Sequence, residues 1–225
     1  MLWSEAVESP PVTGSRSRRQ QRAQRTRVRI LEAAAAAFAR HGYDGVSLNE
    51  LIRQSGLTKG AFYFHFASRD ELALVAFRYK QQQLVALIVE AIDEEAPPLD
   101  RLEAILRERA RLLERDPTLF AVVRLGIELT LRHGADSEYA SFSELPITLF
   151  ERIVTDGQSR GDFRPDLDPR HTAETIFAGV LGIDQAALLL PKKLDITART
   201  EWLLDLLGTG LRAGAPTNTT RKDNR

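Results

Sequence analysis

The sequence contains no cysteine, which excludes disulfide bonds, thiol catalysis and thiolate metal sites. No uninterrupted apolar run approaches the roughly 18 residues that a membrane span requires. Residues 1–14 lack the apolar core of a signal peptide. The chain has no excess of charge of either sign, since 31 basic residues balance 31 acidic ones. At 225 residues and 43 % hydrophobic composition, it can bury a sizeable core. We therefore expect a cytoplasmic globular protein with no membrane partner.

The zero net charge conceals a strongly basic N-terminal part. Residues 1–80 carry 13 basic and 7 acidic residues, whereas residues 81–225 carry 18 basic and 24 acidic ones. Arginines are most concentrated from Arg16 to Arg29, and no acidic residue occurs from Ser9 to Leu31. One interpretation is a flexible basic arm, residues 1–22, that meets a polyanion. The alternative is a tail that is only solvated.

The remainder of the chain predicts helices throughout. Its apolar segments are rich in Ala, Leu, Glu and Arg, and none shows the sustained alternation of a strand. The sequence therefore predicts an all-α fold of about nine helices. Their approximate bounds are residues 22–41, 47–54, 59–66, 69–94, 99–115, 117–132, 137–159, 168–190 and 195–212. Pro146 is expected to kink or break the seventh helix.

The second and third predicted helices are short and are joined through a sharp turn at Ser55-Gly56. Ser47 and Glu50 have the spacing of a capping box, and Thr58 can cap the third helix. Two short helices joined in this way form a helix-turn-helix pattern. The apolar residues expected to pack the pair against the first helix are Ile30, Ala34, Phe38, Leu48, Leu51, Ile52, Leu57 and Phe62.

The third helix carries residue types that suit a DNA major groove. Lys59 adds a cation beside backbone N–H groups that attract phosphate. Gly60 and Ala61 are small enough to let the backbone approach the bases, and the Ala61 methyl group can contact a thymine. Tyr63 and His65 can donate hydrogen bonds to phosphate oxygens. The alternative is that Tyr63, Phe64 and Phe66 belong to the core and that His65 is a satisfied or solvated histidine.

The segment from Arg27 to Leu74, and especially TKGAFYFHF at 58–66, resembles the DNA-binding domain of TetR-type transcriptional regulators. The resemblance implies a homodimer, usually a repressor, with a variable C-terminal domain that binds a small molecule. It also implies that residues matching Ser47, Thr58, Lys59, Gly60, Tyr63 and His65 face DNA. The full set that we predict to contact DNA is Arg27, Ser47, Thr58, Lys59, Gly60, Ala61, Tyr63, His65, Ser68 and Arg69.

Two runs further resemble the branch of this family that senses butyrolactone-type signals in actinomycetes. They are RAQRTRVRILEAAAAAFARHGYDGVS, continued by TKGAFYFHFASRDELA, and LFERIVTDGQSRGDFRPDLD near residue 160. That branch usually places a tryptophan in the pocket-forming helix near residues 145–147, where this sequence has Pro146. The effector class implied by the resemblance is a butyrolactone.

The C-terminal half predicts a ligand pocket and a dimer face. Residues 175–190 are apolar nearly all round, and the last helix carries the stripe Leu203, Leu204, Leu206, Leu207 and Leu211. Such surfaces favour a twofold four-helix interface. A few polar residues interrupt apolar walls, as in a ligand pocket. The predicted ligand-binding residues are Phe77, Leu84, Phe120, Ile127, Glu128, Thr130, Phe142, Phe150, Phe177 and Asp184. The alternatives are that the phenylalanines are plain core residues and that Asp184 and Gln185 pair across the dimer.

The function predicted from these features is a repressor that a mostly apolar effector releases from a palindromic operator. Effector binding is expected to tilt the helix 69–94. The expected division is an arm (1–22), a DNA-binding domain (23–83), a ligand-binding and dimerisation domain (84–213) and a disordered tail (214–225). The four histidines show no metal-ligand spacing, and we expect no cofactor and no enzymatic activity. The rival interpretations are a DNA-binding dimer without a ligand and, from another class, a helical carrier or enzyme.

Overall fold

A computed structural model describes residues 16–56, 58–134, 143–190 and 194–214. These residues form nine helices, and extended pairing among them is limited to one isolated bridge between Phe163 and Arg212. The all-α prediction is confirmed. The helices are α1 (Arg16–His41), α2 (Leu48–Ser55), α3 (Lys59–His65), α4 (Arg69–Glu90), α5 (Pro98–Arg115), α6 (Pro117–His133), α7 (Glu144–Arg160), α8 (Pro169–Leu189) and α9 (Ile196–Leu211).

Side-chain caps begin most of the helices. Ser47, Thr58 and Ser68 accept hydrogen bonds from backbone N–H groups in the first turns of α2, α3 and α4. Asp116, Asp168 and Asp195 do the same for α6, α8 and α9. Each cap satisfies a donor that has no partner within the helix, and an Ala in its place typically costs about 1 kcal/mol. These local rules explain why the sequence predicts most of the starts correctly.

The start of α1 and the effect of Pro146 differ from the predictions. The α1 helix begins at Arg16, six residues before its expected start, so Arg16–Arg22 is helical and not a flexible arm. Pro146 is the third residue of α7, where a backbone N–H would have no acceptor within the helix. It therefore neither kinks nor breaks the helix. The rest of the predicted arm (1–15), Leu57, residues 137–142 and the tail beyond residue 214 lie outside the described residues.

The helices enclose two hydrophobic cores. The N-terminal core joins α1, α2, α3 and the first half of α4 to Leu125 and Leu129 of α6. The second core joins the second half of α4 to α5 and to α7–α9, with Leu119 of α6, and we call it the effector-domain core after the predicted domain 84–213 in which it lies. Both α4 and α6 contribute to the two cores, so displacement of either helix in one domain reaches the other.

The α8 helix alone among the described helices is long and apolar enough, by length and composition, to cross a membrane. Only 22 % of its apolar window is buried within the chain. It packs against α7 and α9, and it holds Asp184 buried against Arg109 of α5. These contacts and the buried ion pair place α8 among the packed C-terminal helices.

Candidate functional site

The start of α3 forms an open surface beside the turn after α2. Thr58, Lys59, Gly60 and Ala61 are all exposed, whereas Phe62 is fully buried in the N-terminal core. A Cβ atom at Gly60 would meet nothing within 4 Å. The structure therefore places four of the predicted DNA contacts together at the exposed start of α3.

The aromatic residues of α3 divide between the core and solvent. Phe62 and Phe66 are buried, whereas Tyr63 is 43 % and Phe64 is 82 % exposed. The interpretation of these aromatics as core residues therefore holds for Phe66 but not for Tyr63 or Phe64. Phe64 was missed as a candidate for the DNA-facing surface. The four-residue spacing of Phe62 and Phe66 gives the signal, because it directs Phe64 to the opposite side of the helix.

Two of the predicted DNA contacts, Arg27 and Arg69, form hydrogen bonds with backbone oxygens of the helix-turn-helix region. The Nη1 atom of Arg27 donates to the backbone oxygen of His65 at 3.1 Å, and its guanidinium lies 4.5 Å from the ring centre of Phe66. The Nη1 atom of Arg69 donates to the backbone oxygen of Val46 at 3.0 Å. These bonds fix α3 and the connection before α2. Contact of either arginine with DNA stays a prediction.

The other predicted contacts, Ser47, Ser68 and His65, flank this surface. Ser47 and Ser68 are exposed and cap α2 and α4, so each hydroxyl lies at a helix start. Burial lowers the pKa of His65, and the nearby charge of Arg27 lowers it further. At neutral pH the imidazole is therefore neutral and can donate one N–H to a phosphate oxygen.

Three charged residues of α6, Arg124, Glu128 and Arg132, follow one another at four-residue intervals and face the end of α1. We call them the α6 row. The Nη2 atom of Arg124 donates to the backbone oxygens of Phe38 at 2.9 Å and Ala39 at 3.2 Å. These carbonyls belong to the last turn of α1. The Phe38 oxygen also accepts the backbone N–H of Gly42 at 2.9 Å, whereas the N–H of Tyr43, which would continue the helix to Ala39, donates to Glu128 instead. The first contact of the row therefore caps α1 from the effector domain.

The other two members of the row hold the residues that follow α1. The Oε2 atom of Glu128 accepts a hydrogen bond from the backbone N–H of Tyr43 at 3.2 Å, and Oε1 lies 3.4 Å from Nε of Arg124. Arg132 forms an ion pair with Asp44. Glu128 was predicted to be a pocket residue; the contacts of its carboxylate are with Tyr43 and Arg124, and a contact with an effector stays a prediction. The spacing of the three charges is visible in the sequence, but their partners depend on how the domains pack.

The contacts of the α6 row with the end of α1 and the residues after it form a joint between the two predicted domains, which we call the domain joint. Tyr43 connects the domain joint to the start of α4. Its ring centre lies 4.2 Å from the guanidinium carbon of Arg69 and 5.1 Å from that of Arg132. Its hydroxyl donates to Asp70 in the first turn of α4. Burial raises the pKa of Tyr43, and the hydrogen bond with Asp70 raises it further. One buried side chain therefore links α1, α4 and α6.

The predicted effector-binding residues do not form one group. Phe77 belongs to the N-terminal core, where its ring packs so closely on Gly126 that a Cβ there would approach it to 2.5 Å. Leu84 and Phe150 are buried in the effector-domain core, and Phe120 and Phe177 pack against it partly buried. Ile127 and Thr130 are half-buried on α6. Phe142 lies outside the described residues.

Asp184 is the most deeply buried charged group of the predicted set, with a side chain only 1 % exposed. Both of its oxygens accept hydrogen bonds from the guanidinium of Arg109, one of them at 3.2 Å. Burial raises the pKa of Asp184 by more than the Arg109 charge and hydrogen bonds lower it. Asp184 therefore has a partner within its own protomer, which removes the need for pairing across a dimer.

Two surface clefts accompany the effector domain. One, of about 250 Å³, lies between α5 and α9 and has a polar lining that includes Arg107 and Glu201. The other, of about 380 Å³, lies beside Pro98 and Phe163 and is more apolar. The linings of these two clefts include none of the predicted effector residues.

An apolar face remains open on α8 and α9. Trp202 and Leu206, four residues apart on α9, are 66 % and 67 % exposed. Leu189 of α8 is also exposed. The predicted leucine stripe on α9 is divided, because Leu204 and Leu211 are buried in the core and only Leu206 of the five is exposed. The open face is consistent with the predicted dimer interface.

Over the described part of the chain, no three His, Asp or Glu side chains are grouped as a metal ion would require.

Comparison with known families matches nearly all of the described chain. Residues 30–76 match the model for bacterial regulatory proteins of the tetR family, and residues 77–210 match the C-terminal region of YsiA-like proteins. The second match alone covers more than half of the chain.

Individual relatives agree with these matches. The A-factor receptor protein of Streptomyces griseus is 32 % identical over 165 residues, which cover 73 % of this chain and 56 % of the receptor. The fatty acid metabolism regulator protein of Bacillus subtilis is 24 % identical over 187 residues, which cover 82 % of this chain and 94 % of that protein. A solved structure described as the molecular basis for control of antibiotic production by bacterial hormones is 32 % identical with a TM-score of 0.73, covering 84 % of this chain and 98 % of that one. The chain belongs to the TetR family of bacterial regulatory proteins.

Proposed function

We propose that the protein is a homodimeric repressor that binds a palindromic DNA operator through α3 and leaves it when a small, mostly apolar effector binds. The observation that carries the proposal is the open face of α3, where Lys59, Gly60 and Ala61 are exposed beside Tyr63. A cation, a small residue that lets the backbone approach and a hydroxyl donor at one helix start suit contact with phosphates and base edges. The protein acts in the cytoplasm and associates with the nucleoid when it is bound to DNA.

Two copies of α3 would enter successive major grooves of a symmetric site, about 34–36 Å apart. The open apolar face around Trp202 and Leu206 supports dimerisation through α8 and α9. We keep residues 23–83 as the DNA-binding domain and residues 84–213 as the effector and dimerisation domain. Since the helix of α1 begins at Arg16, the arm proper is confined to residues 1–15.

Effector binding would act through α4 and α6. A ligand among the C-terminal helices can shift the DNA-binding domain only if it prefers the arrangement that misfits the operator. The α4 helix begins beside α3, and the α6 row holds the end of α1. Displacement of these helices would therefore change the separation of the two α3 helices in the dimer.

The effector class follows from the apolar residues of the effector domain and from the relatives. Phe120, Phe150 and Phe177 would contact an alkyl chain, and Thr130 would offer a hydrogen bond. Among the relatives, one is named as a receptor for A-factor and another as a regulator of fatty acid metabolism. We therefore propose a lactone signal or a fatty-acid derivative with a short polar end.

The experiment is a selection of random DNA duplexes by the purified protein, followed by fluorescence-polarisation titrations of the selected operator. Candidate ligands are butyrolactones and long-chain acyl derivatives. We expect enrichment of one inverted repeat and release of it by one of the two ligand classes. Failure to enrich any sequence would refute the proposed function.

A second candidate is a DNA-binding dimer without an effector. It is favoured by the closed packing of Leu84, Phe150 and Asp184 in the effector-domain core. Operator binding that no candidate ligand and no cell extract changes would support this candidate.

A further inference from the structure

The first part of α1 carries arginines along one side of the helix. Arg22, Arg25 and Arg29 are exposed and follow one another at intervals of three and four residues. Residues at these intervals lie on one face of an α-helix. We call these three residues the arginine stripe.

The stripe starts beside the helix-turn-helix unit. The Nη2 atom of Arg29 donates to the backbone oxygen of Ser55 at 3.3 Å, at the end of α2. On another side of the same turn of α1, Arg27 is bonded to His65 at the end of α3. At 1.5 Å per residue, Arg25 and Arg22 follow at about 6 and 10 Å from Arg29 along the helix axis. The direction of the stripe relative to α3 is therefore set by contacts at its base.

The second half of α1 holds the stripe in place. Ile30, Leu31, Ala34 and Phe38 are buried in the N-terminal core, so this helix cannot rotate about its axis without disrupting that core. Because the helix is continuous from Arg16 to His41, the same constraint fixes where the exposed arginines lie. A flexible arm would impose no such order.

The charge of this region calls for an anionic partner. No carboxylate occurs in the sequence from Ser9 to Leu31 to neutralise the arginines. A polyanion with closely spaced charges would relieve the repulsion among them, and the phosphate backbone of DNA carries such charges.

We propose that the arginine stripe is a rigid edge that contacts the phosphate backbone of the operator next to the bases read by α3. This inference rests on the proposed function and adds a second, sequence-independent DNA contact to it. Arg22 and Arg25 supply the charge, while Arg29 also ties the stripe to α2. Such contacts fix position and orientation on the duplex without reading sequence.

The test compares two double variants with the same loss of charge. Arg22→Gln/Arg25→Gln alters the stripe, and Arg152→Gln/Arg199→Gln alters two exposed arginines of α7 and α9 as the matched control. Affinity for the selected operator and for a random duplex is measured at several salt concentrations. Four lost phosphate contacts per dimer would reduce the slope of log K against log salt by up to about 3.6.

We expect the stripe variant to lose affinity for both duplexes by the same factor, with the ratio between them unchanged. The control should behave like the wild type. Equal slopes for the stripe and control variants would overturn the inference. If the wild type shows no preference between the duplexes, the proposed function fails, while the salt slopes on the random duplex still decide about the stripe.

A charge-conserving variant tests rigidity. Gln24→Arg/Arg25→Gln keeps composition and charge but moves one arginine about 100° around the helix. If the stripe is a fixed edge, this variant should lose part of the salt slope. A slope equal to that of the wild type would show that the region acts as a flexible charged tail, which contradicts the proposal.

Discussion

Glu128 distinguishes a role at the domain joint from a role in the effector pocket. Its carboxylate accepts a hydrogen bond from the buried backbone N–H of Tyr43 and lies beside Arg124. In Glu128→Ala that N–H loses its acceptor, which costs about 1–3 kcal/mol for a buried donor. Because the Glu128 side chain is 40 % exposed, water can partly replace it, and we expect a loss of about 1–2 kcal/mol.

The assay is thermal unfolding of the ligand-free protein. For a chain of this size, a loss of 1 kcal/mol lowers Tm by roughly 2–4 °C, so Tm should fall by about 2–8 °C. A matched control is Glu108→Ala, because Glu108 pairs with Arg111 within its own helix and should contribute little. Arg124→Ala combined with Glu128→Ala should cost less than the sum of the single changes, since the two side chains interact.

The two roles predict opposite results. A pocket glutamate would change effector affinity and leave the stability of the ligand-free protein unaltered. Equal Tm values for the Glu128 and Glu108 variants would refute the assignment of Glu128 to the joint.

Three further predictions concern the effector domain. Asp184→Asn should lower the free energy of unfolding, measured in urea titrations, by about 3–5 kcal/mol, because it leaves the guanidinium of Arg109 without its carboxylate. The double variant Arg109→Met/Asp184→Leu should recover most of the loss. A loss below about 1 kcal/mol for Asp184→Asn would contradict this. The hydrogen bond from Arg107 lowers the pKa of Glu201 below its usual 4.5, so its contribution is present above pH 4.5 and is lost as pH falls through the lowered value. Glu201→Gln should therefore flatten the stability profile in this acid range, and a profile parallel to that of the wild type would exclude the contribution. Thr130→Trp should abolish effector release while ligand-free operator binding persists, and equal release from both proteins would place the pocket elsewhere.

The helices and their caps could be predicted from sequence because their causes are local. Ser47, Thr58 and Ser68 accept bonds from residues three positions away, so the spacing alone reveals them. The early start of α1 was not predicted, because the arginines between Arg16 and Arg22 place like charges at the positive end of the helix dipole and no apolar periodicity marks these residues as helical. The early start is seen only in the structure, where α1 is continuous from Arg16 into the half of the helix that packs in the N-terminal core.

The effector site was less predictable because it depends on how helices pack. Phe77 lies on α4, which serves both cores, and its periodicity does not say which core it enters. Glu128 interrupts an apolar run just as a pocket residue would, yet its partner is the backbone of Tyr43, 85 residues earlier in the chain. Such contacts between distant residues leave no signal in local spacing.

The central claim, that α3 reads a specific DNA sequence, is tested most directly by the affinity of Lys59→Ala for the selected operator and for a random duplex at matched salt. Lys59 is exposed and makes no part of either core, so the Tm should not change. We predict that operator binding weakens by about 1–3 kcal/mol and that the preference for the operator over the random duplex falls, as expected when a base contact is lost. An unchanged operator affinity, with the protein folded, would contradict the assignment of α3 as the reading helix.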